Sequence, residues 1–150
     1  MKKEKVVFIS SPGGHLIQLN LLANKLDSYD AMFVSTYKAK PSFINTDNYS
    51  PITDFSRDDI YKIFLSTYEA IKIIISFKPD AIITTGAAPG LIFVILARLM
   101  NKKSIWVDSM ANYNKLSLSG RLAKLFRCKV FSQSEKVANK YNVEYSGSVI

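Results

Sequence analysis

The chain has one cysteine, one histidine and no long unbroken apolar run. A single cysteine, Cys128, excludes an internal disulfide framework and fits a reducing compartment. Arg127 and Lys129 beside it would favour a thiolate. Its place at the start of a strand instead favours a buried, inert thiol, which is the expectation. With so few histidines and cysteines there is no cluster at metal-ligand spacing, so no metal site is expected. The N-terminal apolar run, Val6 to Ile9, is too short for the core of a signal peptide. The longest apolar window, Ala81 to Met100, is broken by Thr84, Thr85, Gly86, Pro89, Gly90 and Arg98. It reads as a strand, a turn and a helix rather than a membrane span. No block of basic residues exists, although the net charge is +8. Lys2, Lys3, Lys5, Lys102, Lys103, Lys115, Arg121, Lys124, Arg127 and Lys129 are dispersed, and the aromatic residues sit inside apolar runs. Nucleic acid is therefore not an expected partner, whereas an anionic membrane surface or a phosphorylated substrate is.

What is present is an alternation. Nearly half of the 150 residues are hydrophobic and no tract is of low complexity, which suits one ordered domain over residues 1–150. Strands are expected at Lys5–Ser10, Ala31–Thr36, Pro51–Asp54, Asp80–Thr85, Ser104–Asp108, Lys129–Ser132 and Val143–Tyr145. Helices are expected at His15–Leu26, Asp58–Phe77, Pro89–Met100, Ser119–Phe126 and Ser134–Asn139. Tyr37–Ser50 reads as a long loop. Continuous apolar strands such as Val6–Ile9 and Ala81–Ile83 belong to parallel sheets covered on both faces. The fold class is therefore α/β, with a doubly wound, mainly parallel, Rossmann-like sheet.

Ser10-Ser11-Pro12-Gly13-Gly14-His15 joins the first strand to the first helix. Two glycines let backbone approach a ligand, and a helix beginning there aims free N–H groups at an anion such as phosphate. His15 adds a group that can donate a hydrogen bond or move a proton. The spacing is neither the dinucleotide fingerprint nor the longer phosphate loop. Read alone, the turn is equally an ordinary tight connection with a solvent-facing histidine. Two further polar loops leave the same strand edge, where doubly wound sheets bind ligands: Thr84-Thr85-Gly86-Ala87-Ala88-Pro89-Gly90, which is equally an ordinary helix start packed tightly on the sheet, and Asp108-Ser109-Met110-Ala111-Asn112. Asp108 is a candidate base or sugar-hydroxyl acceptor, although taken by itself an Asp at a strand end is more often a helix cap or turn former.

The helix at Asp58–Phe77 carries more apolar residues than one packed face needs. Ile60, Ile63, Phe64, Thr67, Tyr68, Ile71, Ile74 and Ile75 make one broad face, expected to pack on the sheet. Leu65, Ile73 and Phe77 spill beyond it, and Lys62, Glu69 and Lys72 mark the polar side. The favoured reading of this excess is a deeply packed core helix, and the alternative is contact with a partner or a bilayer surface. Leu91 to Leu96, followed by Arg98, Lys102 and Lys103, raises the same choice.

Together these loops, with Leu116-Ser117-Leu118-Ser119-Gly120-Arg121-Leu122 and Tyr145-Ser146-Gly147, resemble the acceptor-side half of a split GT-B glycosyltransferase. Bacterial members are the PssD- and CpsF-type proteins of exopolysaccharide and capsule synthesis. A eukaryotic counterpart is the membrane-anchoring subunit of the N-acetylglucosaminyltransferase that makes dolichol-linked chitobiose, and MurG is a distant single-chain relative. The resemblance implies a subunit that holds a lipid-diphosphate-linked sugar at the inner face of the plasma membrane, by peripheral contact. A second glycosyltransferase subunit would bind most of the UDP-sugar donor; no tightly bound cofactor is implied, and little activity alone. Carried onto this chain, Ser11, Gly13, Gly14 and His15 line the acceptor diphosphate and reaction centre. Thr85, Gly86, Ala87 and Gly90 form the neighbouring loop, and Ser109 and Asn112 join from the fifth strand. Asp108 stands where the family more often has Glu, and Asn112 where many members have Arg.

The expected last strand is followed only by Gly147-Ser148-Val149-Ile150, so no second domain is expected in this chain. A transferase must clamp donor and acceptor between two walls. The leading expectation is the acceptor subunit of a two-component inverting transferase, with His15 as base and Asp108 as rival. An alternative is a noncatalytic enhancer that recruits and activates a partner transferase. A lone nucleotide-binding domain fits less well, because Asp27 and Asp30 come too early after the turn to hold a ribose.

Overall fold

The computed structural model describes residues 2–26, 28–55 and 58–149; Asp27 and Ile150 lie outside them. Its apolar runs become β1 (Glu4–Ser10), β2 (Tyr29–Ser35), β4 (Ala81–Thr84), β5 (Lys103–Val107) and β6 (Lys129–Ser132), with short edge strands β3 (Tyr49–Pro51) and β7 (Glu144–Tyr145). The sheet has seven strands in the order β3-β2-β1-β4-β5-β6-β7. Every pairing is parallel. Helices α1 (Gly14–Asn24), α2 (Ile60–Phe77), α3 (Ala88–Leu99), α4 (Leu118–Leu125) and α5 (Glu135–Tyr141) make the connections. This is the expected Rossmann-like architecture, and the window Ala81–Met100 is indeed a strand, a turn and a helix. No helix among the described residues is long and apolar enough to cross a membrane.

Alternation along β1 sorts the core into two layers. Val6 and Phe8 face α1, where they meet Leu16, Leu19, Phe33 and Ile44. Val7 and Ile9 face the other helices, against Ala70 and Ile74 of α2, Phe93 and Val94 of α3, and Ala123 of α4. Phe93 is fully buried, and such a side chain contributes about 2–3 kcal/mol. Cys128 is buried with its thiol donating to the Val94 carbonyl at 3.5 Å. Burial pushes that thiol above its ordinary pKa, as the strand-start reading expects, and outweighs the lowering by a hydrogen bond with Ser104 and by the charge of Arg98.

Two expectations are corrected. The third strand lies at Tyr49–Pro51, not Pro51–Asp54, because pairing with Phe33–Ser35 of β2 fixes it; Tyr49 and Ser50 thus leave the loop. The packed face of α2 is also not the broad apolar one. Ser66, Ala70 and Ile74 are buried, and Ile73 and Phe77 pack beside them. Ile60, Tyr61, Phe64, Tyr68 and Ile75 are each more than half exposed, Phe64 most of them at 73%. Small residues let α2 lie close to α3, and that close approach turns the larger side chains outward.

Candidate functional site

The strand order reverses between β1 and β4. At such a switch point the loops leaving two neighbouring strands diverge and open a crevice. The two turns that flank it are β1–α1 and β4–α3. Gly13 caps α1 with φ +85°, and a Cβ on Gly13 or Gly14 would meet no atom within 4 Å. The turn is therefore open to a ligand. Ala87 caps α3 with φ 73°, a conformation that is strained for a residue with a side chain. Neither cap offers its helix a side-chain hydrogen bond. Ser117 and Ser134, by contrast, cap α4 and α5 through their hydroxyls, and Ser109 does so for a single 3₁₀ turn at Met110–Asn112. Asp59, at the start of α2, pairs with Lys62 and likewise gives its helix no side-chain cap. So the two helices that start at the switch point leave their first amides without side-chain caps, where their dipoles favour negative charge.

His15 binds the two turns together. Its Nδ1 lies 3.0 Å from the Thr85 carbonyl, and the Thr85 hydroxyl donates back to the His15 carbonyl at 2.5 Å. A carbonyl only accepts, so Nδ1 carries a proton, and in the neutral imidazole Nε2 is then the nitrogen with the lone pair. Nε2 has no hydrogen-bond partner among the described residues. The imidazole is thus oriented by one nitrogen and available as a base through the other. Gly86 makes room for it: with φ +132°, a Cβ there would sit 3.0 Å from the ring.

Asp108 is placed differently. It is 2% exposed. Its Oδ1 accepts from the Trp106 indole N–H at 3.0 Å and from the Ser117 hydroxyl, and its Oδ2 accepts from the Ser117 amide at 2.9 Å. The carboxylate thus ties the β5 exit to the start of α4, which fits holding better than proton transfer. Asp108→Asn replaces one acceptor by a donor facing a donor. It is expected to cost about 2 kcal/mol, read as a lower denaturation midpoint and a changed emission from Trp106, the one tryptophan in the chain.

The remaining candidates divide. Ser11 is half-buried at the turn, with its carbonyl accepting from Ser10 Oγ at 3.1 Å. Thr85 is buried and engaged on both its hydroxyl and its carbonyl with His15. Ser109 and Asn112 line a small hollow of about 40 Å³ with Met110, Tyr113, Gln133 and Ser134. Gly90 is not at the crevice surface. It is buried, and a Cβ there would come within 2.1 Å of Thr84 Oγ1; its role is close helix-to-strand packing. Two residues not singled out from the sequence join the site: Gln133 donates to Gln18 of α1 at 3.2 Å and to the Asp108 carbonyl at 2.9 Å. A buried glutamine among the leucines of α1 was the available signal. Beside them an apolar cavity of about 370 Å³ lies on the α1 face of β4–β6, lined by Leu22, Leu26, Ile83, Ile105, Val107 and Phe131, among others.

A doubly wound parallel sheet with its crevice at the β1/β4 switch point defines a Rossmann-like domain of the kind found in GT-B glycosyltransferases. The structure is similar to MurG from Acinetobacter baumannii, with a TM-score of 0.71 at 14% identity over 89% of this chain and 43% of that one. It is also similar to the UDP-N-acetylglucosamine 2-epimerase of Rickettsia bellii, with a TM-score of 0.72 at 15% identity over 99% of this chain and 46% of that one. The Methanocaldococcus jannaschii UDP-GlcNAc 2-epimerase solved with UDP-GlcNAc and UDP scores 0.69 at 14% identity, over 95% of this chain and 46% of that one. The chain thus spans less than half the length of each. No curated protein matches it by sequence. It belongs to the Alg14-like family of oligosaccharide biosynthesis proteins, whose model matches residues 55–149. The matched stretch contains β4, β5 and their exit loops; the Ser10–His15 turn lies upstream of it.

Proposed function

We propose that this chain is the acceptor-binding subunit of a two-component inverting glycosyltransferase. In this reading a partner subunit holds the UDP-sugar, and this chain holds a lipid-diphosphate-linked saccharide used in capsule or exopolysaccharide synthesis. The observation that carries the reading is the His15 cluster: an oriented imidazole with a free Nε2, between two helix N-termini without side-chain caps, at the switch point. The acceptor diphosphate accepts hydrogen bonds from the first amides of α1 and α3. The acceptor hydroxyl attacks the anomeric carbon as its proton passes to His15 Nε2, while the bond from that carbon to the UDP oxygen breaks. Membership of the Alg14-like family and the GT-B-type fold support a glycosyltransferase role. The test is co-expression and pull-down with candidate Rossmann-like glycosyltransferase subunits, then transfer of sugar from UDP-sugar to a lipid-diphosphate sugar. Absence of both complex and transfer overturns the proposal; a complex whose transfer survives His15→Ala favours the enhancer reading.

The exposed side of α2 supports peripheral contact with the inner membrane face. Phe64 and Tyr68 project from it, and Lys62 and Lys72 lie 5.8 and 5.6 Å from the Tyr61 and Tyr68 rings. Glu69 is turned inward, accepting from the Thr53 amide at 2.7 Å and hydroxyl at 2.9 Å. Aromatic residues among cations suit an anionic headgroup layer. Phe64→Ser with Tyr68→Ser is expected to weaken binding to anionic vesicles about tenfold or more. The same pair leaves the unfolding midpoint nearly unchanged, since both side chains are exposed. Sedimentation with phosphatidylglycerol vesicles checks the first expectation.

A further inference from the structure

Gln133 stands immediately after β6. All the hydrogen-bonding directions of its side-chain amide are used by three different parts of the chain. Nε2 donates to Gln18 Oε1 in α1 at 3.2 Å and to the Asp108 carbonyl at the β5 exit at 2.9 Å. Oε1 accepts from the Val149 amide at 3.0 Å and the Ser148 hydroxyl at 3.4 Å. Two of these partners are backbone groups of fixed sense, a carbonyl and an N–H, so the amide has one orientation only. Gln18 is four residues after Gly14 and three after His15, on the first turns of α1. The segment at 148–149 is itself held elsewhere: Lys25 Nζ donates to the Val149 carbonyl at 2.8 Å, and Ser148 Oγ lies 3.2 Å from Met110 Sδ.

We propose that Gln133 is a positioning residue that sets the α1 N-terminus, and with it His15, against the β5 exit, and that its carbonyl oxygen makes this setting depend on how the 148–149 segment is seated. The inference deepens the reading of the α1 N-terminus as a diphosphate site and rests on it for consequence. The geometric part stands apart from that reading. His15 is anchored on one side by Thr85 of β4's exit loop. Gln133, through Gln18, anchors α1 on the side of β5 and β6. Loosening the second anchor lets α1 shift about the first, moving the Gly14 and His15 amides without removing any group that would touch the ligand.

The chain offers a clean reporter, because His15 is its one histidine. Nuclear magnetic resonance of the imidazole, in the whole chain at fixed pH and with inorganic pyrophosphate as probe, reads both parts. Gln133→Met, a near-isostere lacking the amide, is expected to shift the His15 ring signals and to weaken pyrophosphate binding about fivefold. Gln18→Met is expected to do the same, and the double variant little more than either, since both break one link. Ser148→Ala is expected to shift the signals in the same direction by less. Ile74→Val, in the core on the opposite sheet face, is the control for mere loss of stability and is expected to leave them unmoved. Unchanged His15 signals in folded Gln133→Met, or additive effects of the two glutamine variants, overturn the proposal. Should Gln133→Met not fold, Gln133→Glu removes both donors, retains an acceptor for Val149, and gives the same comparison. If wild-type signals ignore pyrophosphate, the diphosphate reading fails, while the ring shifts alone still decide the role of Gln133.

Discussion

If the proposed role holds, His15→Ala is expected to leave the chain folded and able to join a partner subunit but to lower sugar transfer by about 10²- to 10⁴-fold, the range for a positioned general base. The fold survives because the His15 side chain is half-buried and, among the described residues, makes a single hydrogen bond, to the Thr85 carbonyl. The Thr85 hydroxyl still finds the backbone carbonyl of residue 15. The deficit falls on kcat more than on KM, since a base acts as the proton moves and the helix amides still hold the phosphates. His15→Asn separates two roles. Asparagine can donate to the Thr85 carbonyl as Nδ1 does, but it has no basic nitrogen in place of Nε2. A base requires the Asn variant to be as inactive as the Ala variant. Recovery of transfer with Asn would show instead that the side chain matters only as a tie between the two turns.

The sheet was legible because its central strands are short apolar runs bounded by turn residues. Ala81–Thr84 between Lys78-Pro79-Asp80 and Thr85-Gly86 is the plainest case. The crevice was legible for a related reason: Gly13-Gly14 and Gly86 punctuate the exits of the two strands at the switch point. The orientation of α2 was not. Periodicity marked a broad face through Ile60, Phe64 and Tyr68, but burial was decided by Ser66 and Ala70 beside Ile74, small residues that a hydrophobicity pattern scores as weak. The committed state of Asp108 was not legible either. Its partners are Trp106, which shares its strand edge, and Ser117, which the 3₁₀ turn folds back onto it. Such a contact exists only in three dimensions. Gly90 was legible as a glycine near a helix start, but whether it met ligand or protein depended on how close α3 lies to β4.

That closeness makes Gly90→Ala the most destabilising single methyl expected in the chain. The added Cβ would lie 2.1 Å from Thr84 Oγ1, 3.0 Å from Thr84 Cβ and 3.4 Å from Thr84 Cγ2. Thr84 is fully buried in β4, and its hydroxyl donates to the Gly86 carbonyl and accepts from the Gly86 amide, at 3.3 and 3.2 Å. It cannot swing aside without leaving these groups unpaired. Either α3 lifts from the sheet or the Thr84–Gly86 turn opens, so overpacking of about 3 kcal/mol is expected, with a fall in melting temperature of about 10 °C. Because Gly86 packs against the His15 ring, the strain also reaches the site. Thr84→Ala removes Oγ1, the atom that clashes most, and leaves only the 3.0 Å contact with Cβ, so the double variant should be less destabilised than the sum of the singles. Gly14→Ala makes the opposite case. No atom lies within 4 Å of a Cβ there and its φ is ordinary, so alanine in the first turn of α1 should keep or slightly raise stability. Its methyl instead stands in the open space where the proposed function puts the acceptor diphosphate. Calorimetry on the two variants, with pyrophosphate binding measured alongside, should therefore separate them: Gly90→Ala loses stability first, and Gly14→Ala loses ligand while the fold holds. Equal stability losses in the two would mean that α3 is not seated on β4 as closely as the Gly90–Thr84 contact requires.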